Sequence, residues 1–417
     1  MAGRFGRVET RRRVRGFLCG LLANLPRKNC WTIAEHAGDR DPHGMQHLLG
    51  RAAWDTDGVG DDLRDYVTTH LGDADAVLVV DETGDLKKGT HTVGVQRQYT
   101  GTAGRIENSQ VAVYLTYAGE RGHAMIDREL YLPKSWTEDP DRCTEAGVPA
   151  DIEFLTKPAL ATGMLTRALN AGVPARWVAG DEVYGADPTL RRELETYQIG
   201  YVLAIGCDRR VPTAAGLIRA DTVTARLPKW AWQRLSAGPG AKGQRYYDWA
   251  LVELTPPDHA CAEDVNTECW WLLVRRNPRS GELAFYRCYS PEPVPLRELV
   301  RVAGRRWTVE ESFQTGKGLA GLDEHQVRCW TSWRRWTLLA MTANALLAVI
   351  AANEHTDRPA LAGMIALTCN EIRRLFTIFV IEPARTPTCP QAWSHWRRRH
   401  QHHARACHYR RQEAARA

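Results

Sequence analysis

The sequence lacks the features that would place it outside the reduced interior of a cell. Its 11 cysteines stand singly with no C-x-x-C pair, and no secretory leader opens the chain. That pattern argues against a disulfide framework and predicts a cytosolic protein whose thiols serve as small apolar groups. Long apolar runs are missing too: the longest, Leu338 to Ala352, contains Asn344 and falls short of a bilayer span, so it predicts a buried helix. No internal repeat or low-complexity block is present, which argues against solenoids and arrays. Acid is absent from one stretch near the end, WSHWRRRHQHHARACHYRR, which holds six arginines and five histidines. The nearby Cys389, His395, His400, His403 and Cys407 match no familiar zinc-ligand spacing.

What is present describes a soluble globular protein of two or three structural units. Hydrophobic residues make up 44% of the 417 and charged ones 25%, enough for a large core. The net charge of +6 is modest, but its placement is uneven. Arg4, Arg7, Arg11, Arg12, Arg13 and Arg15 crowd the start, as the acid-free stretch crowds the end. Basic ends on a nearly balanced body fit a polyanionic partner, because clustered cations release the counterions of phosphates. From charge alone, solvated ends fit equally well.

Residues 1–75 read as helical. Two apolar-periodic stretches, CWTIAEHAG and HGMQHLLGRAAWD, are separated by the turn signal DRDP. Such a pair fits either a helix-turn-helix reader or a packed helical cap. Then AVLVVD (76–81) predicts a strand buried on both faces. HTVGVQRQY and SQVAVYLTYA alternate like half-buried strands around a Gly-rich turn, and HAMIDRELYL suggests another strand. A helix from KPALATGMLTRALNAG, a strand from ARWVAGD, a helix from DPTLRRELETY and a strand from GYVLAIG complete a mixed α/β domain over 76–207. Residues 208–292 break that rhythm with short strands and five tryptophans, Trp230, Trp232, Trp249, Trp270 and Trp271, and read as a β-rich insertion. Helices return over 293–380, and 381–417 forms a basic tail.

Three acids carry the chemistry. Asp81 and Asp181 each end a predicted strand, so neighbouring strands would bring their carboxylates together across 100 positions (181 − 81). Glu310 lies on a helix in RWTVEESFQTGKG, with Arg306 four residues before it and Lys317 seven after, all on one helix face. Converging carboxylates fit Mg²⁺, and two such ions can clamp an in-line phosphoryl transfer, with cations beside them reaching phosphates. Each acid alone fits a turn or helix cap, and the Arg–Glu–Lys face alone fits a salt-bridged surface.

Together these residues resemble the DDE transposases of bacterial insertion sequences, which share the RNase H-like fold of retroviral integrases. Arg306-x3-Glu310-x6-Lys317 is similar to the tyrosine–arginine–glutamate–lysine signature of one branch, with Ala303 where the tyrosine would stand. VVDETGDLKKGTHTVGVQRQYTGTAGRIENSQVAVYLTYA, DRELYLPKSW, GDEVYG and RWTVEESFQTGKGLAGLDEHQVR extend the resemblance, within insertion sequence family 701, over most of the chain. It implies an RNase H-like mixed sheet with flanking helices, an N-terminal helical DNA-binding domain (1–75), and the β-rich insertion before the last catalytic helix. It implies a triad of Asp81, Asp181 and Glu310 holding two Mg²⁺ ions, for which Mn²⁺ may substitute. Arg306 and Lys317, and in the loop after the first strand Lys87 and Lys88, become DNA contacts. The implied activity is cutting at the element's ends and joining the freed 3′-hydroxyl to target DNA, in a dimer or larger synaptic complex in the bacterial cytoplasm. An insertion tryptophan would stack on a flipped base. One departure stands out: Asp81-Glu82-Thr83 replaces two aspartates before the threonine. It leaves open a decayed or domesticated copy that only binds DNA, and a different RNase H-like nuclease is the other alternative.

Overall fold

The computed structural model describes residues 1–240, 243–256, 268–357, 364–384 and 389–414. In chain order the first helices are α1 (Val8–Leu22), α2 (Cys30–His36), α3 (His43–Gly50) and α4 (Thr56–Leu71). Asn29 starts α2 with a reciprocal cap, accepting from the backbone of Trp31 and Thr32 while the Thr32 side chain answers its own N–H. Strands β1 (Val77–Leu86), β2 (Gln96–Thr100), β3 (Arg105–Ala118) and β4 (His123–Leu130) follow. Short helices α5 (Lys134–Thr137) and α6 (Pro140–Glu145) precede α7 (Lys157–Asn170), β5 (Trp177–Gly180), α8 (Glu182–Gly185), α9 (Pro188–Thr196) and β6 (Gly200–Ile205). A small hairpin, β7 (Arg210–Thr213) with β8 (Gly216–Arg219), and α10 (Ala220–Ala225) lead to β9 (Gln233–Gly240), β10 (Gly243–Glu253), β11 (Cys269–Arg276) and β12 (Leu283–Ser290). The chain closes with α11 (Leu296–Arg305), α12 (Trp307–Ala320), α13 (Trp330–Asp357), α14 (Cys369–Phe376) and α15 (Pro390–Ala414).

Two compact units result, one of residues 60–314 and one of residues 1–59 with 315–417. This division departs from the sequence-derived boundaries, because the N-terminal helices share their core with the C-terminal ones. Phe17 of α1 meets Trp336 of α13 edge-on at 5.3 Å, and α13, far longer than its apolar run, is mostly buried. By length and composition α13 could cross a membrane, yet 72% of its most apolar stretch lies inside the fold.

In the other unit the sheet runs β4-β3-β1-β5-β6, with β2 and β4 sharing one edge of β3. β1 pairs antiparallel with β3 and parallel with β5, which is parallel to β6. An antiparallel half feeding a parallel half in this order is the RNase H-like arrangement, and the fold is mixed α/β with a large sheet flanked by helices. The insertion does not stand apart. β12 adds to the edge of β6, and β11, β10 and β9 continue the same sheet.

Two strand readings need correction. Residues 91–95 of HTVGVQRQY turn instead of extending, with Gly94 at φ +73° and Val93 and Val95 buried, so the strand starts at Gln96. β3 is buried continuously from Ser109 to Ala118, not on alternate residues, because helices cover both faces of the sheet there.

Each face has its own core. Val77, Val79, Trp177, Ala179 and Val202 pack against Leu299, Val300, Val302 and Val309 from α11 and α12. The opposite face is closed by α7, α8 and α9, with α8 seated directly on β6. A Cβ at Gly185 would lie 1.9 Å from the Ala204 carbonyl oxygen, so the backbones touch where a side chain would stand. Gly185→Ala is therefore expected to destabilise this unit by about 1–3 kcal/mol. A fall in the urea unfolding midpoint, followed by far-UV circular dichroism, measures it.

Candidate active site

The parallel pairing of β1 with β5 stops at Val80–Gly180, so Asp81 and Asp181 occupy equivalent places just beyond it. Asp181 ends its strand as read from the sequence, but Asp81 does not: β1 continues to Leu86, because its other edge stays paired with β3. Successive strand residues point to opposite faces, and Val77, Val79 and Asp81 share the face covered by α11 and α12. There Arg306 reaches Asp81 Oδ2 through Nη1 at 3.3 Å and Glu310 Oε1 through Nη2 at 3.4 Å. The guanidinium thus stands between two of the three predicted acids.

Asp181 has a second task. Its Oδ1 accepts the Val183 N–H at 2.8 Å and caps α8, so the capping alternative read from the sequence also holds. Lys317 lies on α12 seven residues beyond Glu310. Just beyond β1, Lys87 is half-buried with its ammonium 3.9 Å from Asp85, whereas Lys88 is exposed.

Glu82 faces the other way. Lys157, at the start of α7, lies 2.7 Å from its Oε1, and the hydroxyl of buried Tyr184 on α8 donates to its Oε2 at 2.6 Å. The extra methylene that sets Glu82 apart from an aspartate spans the distance to those two helices. Sequence reasoning missed both partners, although Tyr184 lies within the GDEVYG segment and Lys157 opens the next predicted helix. It also missed His123 at the start of β4, whose ring sits 3.3 Å from Glu311 and 2.7 Å from the Ser312 hydroxyl.

Of the five insertion tryptophans, Trp249, Trp270 and Trp271 are buried and Trp232 lies under the Arg276 guanidinium at 4.1 Å. Trp230 differs, at 84% exposed. Strand packing claims the first three, leaving Trp230 as the indole available to an external ring.

Charge is unbalanced around these aspartates. Burial, and next the Asp181 carboxylate, push the Asp81 carboxyl up to about 7, against the opposing pull of Arg306. Burial also raises Asp181, with Glu82 adding to it. Three acids facing one guanidinium offer hard oxygen donors suited to a divalent cation. Among the described residues no three His, Cys, Asp or Glu side chains converge closely enough to share one ion. Asp81 and Asp181 supply carboxylate oxygens of the kind a divalent cation takes, while Glu310 is linked to Asp81 through the Arg306 side chain.

Residues 1–234 match a family described as DDE superfamily endonuclease. The chain belongs to that family. Enzymes of this superfamily generally use divalent metal ions, in keeping with the donor set here. Among curated relatives, it is 28% identical over 189 residues to the "Probable transposase for insertion sequence element IS701" of Microchaete diplosiphon. That alignment covers 45% of this chain and 46% of the relative, so the chain spans about half the relative's length. Among solved structures, a piggyBac transposase in a synaptic complex with hairpin DNA aligns at TM-score 0.44 and 12% identity, over 94% of this chain and 76% of that one.

The pH dependence of the chain's stability carries the mark of Asp81. Its carboxyl titrates near 3.8 when unfolded and at about 7 when folded, so between those values the native state holds the extra proton. Stability from this group is complete below pH 3.8 and is lost as pH rises through 7. Asp81→Asn should raise stability at pH 8 in EDTA by roughly 2–4 kcal/mol, and the gain should vanish near pH 4. Paired denaturation curves of the two proteins across that range measure it.

Proposed function

We propose that the protein is an insertion-sequence transposase that cuts DNA at the element's ends and joins the freed 3′-hydroxyl to target DNA. One observation carries this reading: Asp81 and Asp181 stand side by side where the parallel pairing of β1 and β5 stops, on the face where Arg306 joins Asp81 to Glu310. Two Mg²⁺ ions, or Mn²⁺, would neutralise charge on the attacking and leaving oxygens. Asp81 and Asp181 would hold them from where the β1–β5 pairing stops, rigidly because the sheet fixes both backbones. Asp81 would give up its proton as it takes the ligand role. Arg306 would swing from the carboxylates to a phosphate of the bound strand, and its departure would free Glu310 to complete the triad. Lys317 and Lys88 would contact the backbone further along, Lys88 more readily than Lys87.

In the first step water attacks the phosphorus at the element end, and the 3′-oxygen leaves as a hydroxyl. In the second that hydroxyl attacks a target phosphodiester in line, so one phosphodiester bond forms as another breaks. Two ends must be held together, which supports a dimer or larger assembly working on duplex DNA in the bacterial cytoplasm. The exposed Trp230 is the insertion side chain best suited to stack on an unpaired base. The DNA-binding-only reading rested on Glu82, and that side chain is engaged by Lys157 and Tyr184 on the opposite face of β1. Glu82 therefore lends it no support.

Purified protein with DNA carrying the element's two ends and Mg²⁺ or Mn²⁺ tests the proposal. Wild type should yield nicked, double-cut and joined products. Glu310→Ala should cut and join at least about 10³-fold more slowly while still binding the ends. Binding without metal-dependent products from wild type would instead make it a DNA-binding protein.

A further inference from the structure

The acid-free stretch is not a loose tail. It forms most of α15, which is fixed along one stripe against α2 and the turn into α3. Trp393 is buried and donates its indole N–H to the Asp39 carbonyl at 2.8 Å. Trp396 meets Trp31 of α2 edge-on at 4.7 Å, and Arg397 pairs with Glu35 of α2 at 2.8 Å. His400 also packs against Trp31, at 4.9 Å. Positions 393, 396, 397 and 400 are one helix face.

The opposite face carries His395, Arg398, His402 and Arg405, all exposed, with exposed Arg399 on its flank. Arg398, Arg399 and Arg405 make no ion pair among the described residues. The only acid in α15 is Glu413, near its end. Arg398 and Arg405 stand two turns apart on that face with Arg399 beside them, and no carboxylate of α15 lies among them. A helix docked by aromatic side chains on one face and bare of counter-charge on the other matches a regular polyanion in charge and in length. Twenty-five residues extend over roughly 37 Å, about one turn of duplex DNA.

The same turn is tied to α1. Asp39, whose carbonyl takes Trp393, has its carboxylate 3.7 Å from Arg13. Basic segments from both ends of the chain thus meet at the α2–α3 turn.

We propose that the outward face of α15, held in place by the α2–α3 pair beneath it, is a surface for duplex DNA, with Arg398, Arg399 and Arg405 on the phosphate backbone. This rests on the transposase reading and assigns part of its DNA binding to a helix 350 residues beyond the candidate reader (393 − 43). Phosphate contacts act on all sequences alike, so the surface sets affinity and register more than base choice.

The test uses full-length protein, an element-end duplex and a scrambled duplex, with affinity measured from 50 to 300 mM KCl. The triple variant Arg398→Ala/Arg399→Ala/Arg405→Ala should bind both duplexes at least tenfold more weakly, and its log–log salt slope should fall by about 2 to 3. Circular dichroism should match wild type, since all three side chains are exposed. A single Arg398→Glu should weaken both duplexes in the same direction, as an independent check. Unchanged affinity and slope, with wild type still binding and cutting the ends, would overturn this surface and leave the transposase reading intact. Wild type that binds neither duplex would overturn both. Tighter binding to duplex RNA, or to vesicles with anionic lipid, lost in the same triple variant, would overturn DNA as the occupant.

Discussion

Everything at the candidate site depends on the two-residue period of one buried strand. The first half of β1 is covered on both faces, so each side chain from Val77 to Val80 is committed to one core or the other. Val77 and Val79 go to the core beneath α11 and α12, and Asp81 follows them. Leu78 and Val80 go the other way, and Glu82 follows those. Two adjacent acids therefore meet different surroundings: one faces Arg306 and, beyond it, Glu310, the other Lys157 and Tyr184. A register slip of one residue would exchange them. The parallel pairing with β5 extends the constraint, since Asp181 reaches the Asp81 side only because Trp177 and Ala179 already lie there.

This also decides how much was legible in the sequence. The buried run of β1, the helices after it and the end of β5 at Asp181 were readable, because β-branched runs and 3.6-residue periods are local; the extension of β1 past Asp81 was not, because it depends on pairing with β3. The spacing of Arg306 and Glu310 was readable for the same reason. The choice between Asp81 and Glu82 was not a local property of the chain. It depended on which helices close which face, and those helices lie more than 70 and more than 200 residues away. The merging of the insertion into the main sheet was likewise hidden, because pairing between β6 and β12 spans a long loop whose closure leaves no periodic trace. The docking of the tail on α2 was not read, because charge alone fits a solvated end and a polyanion-binding end equally and says nothing of which face Trp393 and Trp396 share.

The two units manage charge in opposite ways. Around Asp81, two carboxylates share one guanidinium with Asp181 nearby, and burial holds the Asp81 carboxyl well above the usual carboxylate range. On α15, cations are lined up without acids while aromatic rings anchor the other face. Each arrangement is costly alone and is relieved by a partner of opposite sign, a cation in one case and a polyanion in the other. Apolar packing makes both tolerable, through the core under α11 and α12 and through Trp393 and Trp396.

The first 59 residues fold with the last hundred or so, and 255 residues lie between them (314 − 60 + 1). During synthesis, therefore, the sheet-bearing unit is complete before the helical unit can close. The nascent N-terminal helices wait, with Phe17 and Leu21 lacking their final cover, until α13 leaves the ribosome. A chain cut short by a stop before α13 keeps Asp81 and Asp181 but never assembles the unit that α1 to α3 share with α13 to α15.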